Sequence, residues 1–410
     1  MKLTPTAIAL LLATTGLAAA SVPAVAQDKA AVATKDPKVS KEASKSLSEL
    51  QKAVNAKDTA TIPAALAAAQ AKVKTTDDRF VLAQLQLKAA VDAQDNAGMI
   101  AGLQAVVSSG FLSPAETVPH YMNLGRLNYN AKSYDAAAAA FEKLIQVDPN
   151  NLDATVMLAE SRNGQGRAAE AVTLIQKAIA ARTAAGQKAD ESWYKRGVAL
   201  AFNAKMPNAP ELGRQWVAAY PSAKTWRDTI RIYQTTSQMA DNGLIDTMRL
   251  AFATGGLAGE SDYFRYTDAL VKKGFPGEAK AVLDQGFSSN AISKTKATFT
   301  QLHSLASTRA KDDQASLEAS AKTAMAAANS RQAMVTGEAY YGYGDYQKSA
   351  DLYRAALTKS DVDKDLANLR LGMALARAGD KAGATAALNA AGGSQAEIAK
   401  LWLTYVNTKA

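Results

Sequence analysis

Few residues in this chain have the type and spacing for chemistry. Its 410 residues include no cysteine, which excludes thiolate nucleophiles, disulfides, iron–sulfur clusters and Cys-ligated zinc. An imidazole base or metal ligand would have to be His120 or His303. Each has a plainer place. His120 follows Pro119 at the start of a predicted helix, as a surface or capping residue. His303 sits mid-helix near Leu302 and Leu305, where a packed or half-exposed imidazole is ordinary. Asp77-Asp78 and Asp312-Asp313 have the groups for general acid–base work. Both pairs are expected to precede helices, where carboxylates favour the positive end of the dipole. Gly342-Tyr343-Gly344 is the nearest approach to a phosphate-binding glycine motif. It falls between two helices rather than after a strand, so it reads as a turn. H-E-x-x-H, G-x-S-x-G, Walker and calcium-loop patterns are all absent from the sequence. The expectation is a non-enzyme with no cofactor and no metal. An enzyme with an unfamiliar carboxylate site is the third reading, behind two binding functions.

Tyr340, Tyr341, Tyr343 and Tyr346 form a cluster that could stack on sugars. Core and turn positions of one repeat explain most of them, with Tyr341 the first choice to face a groove.

The elements that carry these residues are helices. Hydrophobic residues make up 48% of the chain but aromatics only 7%, so the apolar content is mainly Ala, Leu and Val, which suits close helix packing. Only 11 prolines interrupt it. The formal charge of +9 could attract lipopolysaccharide, anionic lipid or nucleic acid. The Lys and Arg are scattered singly among Asp and Glu, with no basic run, and read as solvated helix faces rather than a nucleic-acid site.

Repeats fix the arrangement. Leu124-Gly125 is matched by Leu158-Ala159, Ala137 by Ala171, Phe141 by Ile175 and Ile145 by Ile179, at a common spacing of 34 (158 − 124). The first unit reads Tyr121, Leu124, Gly125, Tyr134, Ala137, Phe141, Leu144 and Pro149. Gly125 and Ala137 are placed where two antiparallel helices approach most closely. Tyr121, Leu124, Phe141 and Leu144 recur at helical steps and share a buried face. Pro149 ends the second helix. The next unit turns at Asn163-Gly164-Gln165-Gly166. Near the C-terminus, Gly337, Gly344, Tyr346, Tyr353 and Ala356 are followed by Gly372, Gly379, Lys381, Leu388 and Ala391, at a spacing of 35 (372 − 337). Upstream, Gly274-Phe275-Pro276 with Ala279 and Leu283 is the same turn and second helix.

These residues resemble the tetratricopeptide repeat. The resemblance implies an all-α fold, a right-handed α-solenoid of antiparallel helix pairs forming a superhelix. Clear resemblance covers roughly half the chain. Helices are expected near residues 40–56, 62–74, 79–93 and 97–109. One degenerate unit is expected as a helix at 293–308, a polar turn at Lys311-Asp312-Asp313 and a helix at 314–327. A last helix at 396–405 should cover the open end of the stack. Trp193, Gly197, Trp216 and Trp226 should fill gaps between units. Thr254–Gly259 is the candidate bend between sub-arrays. The expected division is 1–26, 27–39 (flexible), 40–119 (degenerate repeats), 120–254 (central repeats) and 255–410 (C-terminal repeats with a capping helix).

Arrays of this kind line a concave groove with their first helices and bind an extended peptide or a helix there. The repeat register places Met122, Arg126, Tyr129 and Asn130 on that face, followed by Val156, Glu160 and Asn163. The amides and Arg126 could bond a peptide backbone while Met122, Tyr129 and Val156 supply apolar pockets. Met122 and Glu160 stand where the family's carboxylate clamp would need Lys or neutral amides, which speaks against binding of a cytosolic chaperone tail.

Residues 1–26 have the layout of a secretory signal: Lys2, an apolar stretch over 7–20, Pro23, then Ala24-Val25-Ala26, with cleavage expected between Ala26 and Gln27. No later apolar run is long enough for an integral membrane segment. The expected location is periplasmic or secreted. The expected function is a scaffold or adaptor for an envelope protein or peptide, with a cell-wall or polysaccharide-associated scaffold as the alternative.

Overall fold

A computed structural model describes residues 35–237 and 241–409. The expected signal lies outside the described residues. Those described form twenty α-helices, one short 3-10 turn and no strand. Their packing divides the chain after Ala189 into two units. The expected bend at Thr254–Gly259 instead joins two helices within the second unit.

The first unit is a stack of four helical hairpins: α1 (Lys41–Asn55) with α2 (Ile62–Gln70), α3 (Thr76–Asp92) with α4 (Asn96–Ser108), α5 (Pro114–Asn130) with α6 (Tyr134–Val147), and α7 (Leu152–Gly164) with α8 (Ala168–Ala184). The small residues lie where the spacing put them. Ala137 and Ala171 are fully buried. A Cβ added to Gly125 would come within 2.5 Å of the Phe141 ring, so α5 and α6 touch there with no room for a side chain. The same glycine-to-bulky pairing recurs at Gly337 with Tyr353 and Gly372 with Leu388. All three have an offset of 16 residues (141 − 125, 353 − 337, 388 − 372).

Asp78 locks the start of this unit. Its carboxylate accepts from Ser40 N and Oγ, Lys74 N and Thr75 N at 2.8–3.2 Å, so the N-cap of α1 is tied to that of α3. Lys38 N donates to Asp77 at 2.6 Å and Val39 packs on the adjoining core, so the described end of the expected flexible segment is held down.

The second unit comprises α9 (Glu191–Asn203), α10 (Ala209–Ala219), α11 (Ala223–Thr236), α12 (Asp241–Ala253), α13 (Gly259–Lys273), α14 (Pro276–Ser288), α15 (Ala297–Ala326), α16 (Ser330–Gly342), α17 (Tyr346–Leu357), α18 (Lys364–Ala378), α19 (Lys381–Ala390) and α20 (Ala396–Thr408). Here α14 packs on α16, α18 on α20, and α20 on α10 and α12. The last helix therefore does not cover an open end, as expected from sequence. It closes the unit onto its own beginning.

The expected turn at Lys311-Asp312-Asp313 does not exist, because α15 runs unbroken for 30 residues. No Gly or Pro occurs between Ala297 and Ala326, and a polar run without a breaker continues a helix. Ala306, Ala310, Leu317 and Ala324 form its buried stripe. With one helix where two had been expected, α14 and α16 lie side by side.

Candidate functional site

Two places in the molecule gather polar and apolar groups in a way that bears on binding. The first is the layer made by α5 and α7, the leading helices of successive hairpins, which lie against each other. Ser113 and Glu116 form a capping box at the start of α5, with Pro114 at its first position. Thus Pro114, not Pro119, opens the helix, and His120 is buried inside it rather than capping it. Its Nδ1 has no partner, and burial pushes its pKa down, so the ring is neutral near pH 7. The S-x-x-E signal at 113–116 was present in the sequence and would have corrected the assignment.

On this layer Arg126 and Asn130 are exposed one turn apart. Met122 is half-buried against the core cluster that includes Phe141 and Leu158, and Tyr129 is half-buried with its ring edge-on to Tyr134, centroids 5.6 Å apart. Val156, Glu160 and Asn163 are half-buried on α7. Tyr341 belongs elsewhere. It is only 5% exposed in the second unit, so it does not present a face to an open groove.

The tyrosine cluster as a whole is engaged internally. Tyr340 is buried, with Lys348 over its ring; Tyr343 donates to Ala310 O and Asp313 Oδ2; Tyr346 lies under Arg377 at 4.9 Å. An exposed tyrosine platform for sugars is not what the structure builds.

The second place was not read from the sequence. At the centre of the second unit, α12, α14, α16 and α18 each send charged side chains inward: Asp246 and Arg249, Glu278, Glu338 and Arg370. Arg249 grips Glu278 with two bonds, Nε to Oε1 at 2.8 Å and Nη2 to Oε2 at 2.6 Å, and its Nη2 also reaches Glu338 at 2.6 Å. Arg370 Nη1 meets the other oxygen of Glu338 at 2.7 Å. Tyr266 donates to Glu278 at 2.6 Å and Tyr353 to Glu338 at 2.9 Å. Both guanidiniums stay charged: burial opposes it, but the surrounding carboxylates outweigh burial. Burial would raise Glu338, but Arg249 and Arg370 hold it below its usual range.

Asp246 is the weakly served member. Arg249 lies 3.4 Å and Arg370 3.9 Å from its Oδ1, and its Oδ2 has no partner. Three carboxylates face two guanidiniums, so one negative charge is in excess. Burial pushes the Asp246 carboxyl up to about 6, against the pull of Arg370 and Arg249. The cluster links helices rather than holding a reactive group in contact with solvent. Arginines at inward helix positions 249 and 370, each flanked by apolar residues, were its only sequence signal.

Antiparallel helix pairs with small residues at their crossings define an α-helical repeat protein. Models of the tetratricopeptide repeat match residues 129–187 and 334–397, so each unit contains a stretch of tetratricopeptide repeat. Such repeats make protein-interaction scaffolds. No curated protein matches the sequence. Among solved structures, the chain is similar to one in "Structure of Naa15/Naa10 bound to HypK-THB", with 11% identity and a TM-score of 0.30. The match covers 85% of this chain and 64% of that one, so the chain spans less than two thirds of its length. Among the described residues no helix is long and apolar enough to cross a membrane, and no group of His, Asp or Glu is arranged to hold a metal.

Proposed function

We propose that the protein is an exported bacterial adaptor that works in the periplasm and holds a peptide or helix of another envelope protein against the α5–α7 layer. The tetratricopeptide match at 129–187 supports this reading, as does the secretory layout of residues 1–26. The observation that carries it is the make-up of the layer: exposed Arg126 and Asn130 stand beside half-buried Met122, Tyr129 and Val156. Polar groups at one-turn spacing fix the register of a bound backbone, and partly covered apolar groups gain from being sealed. Affinity purification from a periplasmic extract tests it, comparing the native protein with an Arg126→Ala/Tyr129→Ala/Asn130→Ala variant. The partner should be lost with the variant. Equal recovery would reject this surface.

A further inference from the structure

Beside the buried charge cluster lies a cavity of about 130 Å³, between α12, α13, α14, the α16–α17 turn and the end of α18. Three features of its wall point to a ligand. Arg377, half-buried at the end of α18, lines it and makes no hydrogen bond or ion pair among the described residues; its guanidinium only lies over Tyr346. Tyr341 also lines it, and its buried hydroxyl has no partner. The carboxylate on the wall, Glu278, is already held by Arg249 on both oxygens and by Tyr266 on one. Arg377 is therefore a cation on this wall with no hydrogen-bond or ion-pair partner among the described residues, and it shares the wall with one unused hydroxyl. Arg249 also lines the wall but is spent on Glu278 and Glu338, and Phe252, Tyr266, Val282 and Tyr346 supply apolar and aromatic surface.

We propose that this cavity binds a monocarboxylate carried on a small apolar or aromatic body, with Arg377 and Tyr341 donating to the carboxylate. A single unpaired guanidinium matches a single anionic group, and the flat rings suit a ring or branched alkyl group laid between them. The turn Gly342-Tyr343-Gly344 forms one lip, and Gly342 leaves no side chain there because a Cβ would meet Glu278 at 2.9 Å. The two sources of such a group are a free small acid and the C-terminus of a peptide ending in an apolar residue.

Calorimetric titration of the full chain tests the site. The probes are 3-phenylpropionate, its neutral amide 3-phenylpropionamide, and a short peptide ending in Phe with either a free or an amidated C-terminus. At least one free carboxylate should bind, and its amide should not. Binding by the small acid alone points to a metabolite-like ligand, and tighter binding by the free-ended peptide points to a chain terminus. Arg377→Gln should weaken binding by about tenfold or more, the scale of one charge-assisted hydrogen bond, and Tyr341→Phe by several-fold. Both variants should keep the native circular dichroism spectrum. Equal binding of acid and amide, unchanged affinity in Arg377→Gln, or no binding of any probe would overturn the proposal.

Discussion

Trp402 in α20 donates its indole N–H to the backbone carbonyl of Asp246 in α12, at 3.2 Å, across 156 residues of chain. That bond closes the second unit. Trp402 is fully buried, and Tyr405, one turn on, packs edge-on against both Trp402 and Trp226. On the surface of the same helix Glu397 pairs with Arg214 of α10 at 2.6 Å. The end of the sequence is thus structural for helices laid down nearly two hundred residues earlier.

Replacing Trp402 by Ala should cost about 3–5 kcal/mol, the range for deleting a large buried ring. Urea denaturation of the variant should move the transition of the second unit and leave that of the first in place. A loss under about 1 kcal/mol would mean that α20 is peripheral.

Two carboxylates, one in each unit, respond oppositely to acid. The folded-state pKa of Asp246 is raised, from an ordinary 3.8 to about 6. Its contribution to stability is complete below the lower value and is lost as pH rises through the higher one. Asp246 should therefore contribute a loss of stability to the second unit between about pH 4 and 6 as pH rises, opposite in sign to the contribution of the lowered Glu338, and Asp246→Asn should remove that part of the dependence. Asp78 in the first unit goes the other way. Burial would raise its pKa, but the hydrogen bonds from Ser40, Thr75 and Lys74 bring it down to about 2. Its contribution is present above the ordinary 3.8 and disappears as pH falls through about 2. Denaturation midpoints of the two transitions, followed against pH, check both signs.

Removing one partner of the cluster should be worse than removing its charge balance. Arg249→Met leaves Asp246, Glu278 and Glu338 buried with one remaining guanidinium, Arg370, which pairs with Asp246 and Glu338, and should destabilise the second unit by about 3–5 kcal/mol. A shift of less than about 1 kcal/mol would mean that water reaches the cluster freely.

The Gly125–Phe141 contact predicts a specific rescue. Gly125→Ala should destabilise the first unit by about 1–3 kcal/mol, because the new methyl strikes the ring. Adding Phe141→Leu should recover part of that loss, and a double-mutant cycle measures the coupling. Strictly additive effects would show that the two side chains do not meet.

The same contact shows why some of the molecule was legible. A glycine packed on a bulky residue 16 positions later marks three of the hairpins, and turns at Gly166, Gly344 and Gly379 carry the left-handed backbone that glycine takes without strain. The early hairpins hide their turns. Lys57 and Gln94 adopt that conformation with φ of 54° each, so no glycine announces the turns of the first two hairpins, and their helices are legible mainly from periodicity. The internal helix ends were still placed to within a few residues. What could not be read was set by contacts distant in sequence. Nothing local in Trp402 names Asp246, and nothing in Arg249 or Arg370 says that both turn inward on the same carboxylates. The unbroken α15 and the buried His120 have local causes: the charged run at 311–313 carries no helix breaker, and the capping box at Ser113 and Glu116 starts α5 ahead of Pro119.

The central functional claim is that the α5–α7 layer is where a partner binds. Its most direct measurement is site-specific photo-crosslinking in living cells. A photoreactive residue at position 126, at the centre of the layer, is compared with one at exposed position 177 on α8. A discrete crosslinked envelope protein from position 126 and none from position 177 is the predicted result. The same adduct from both positions, or adducts from 177 alone, would contradict it.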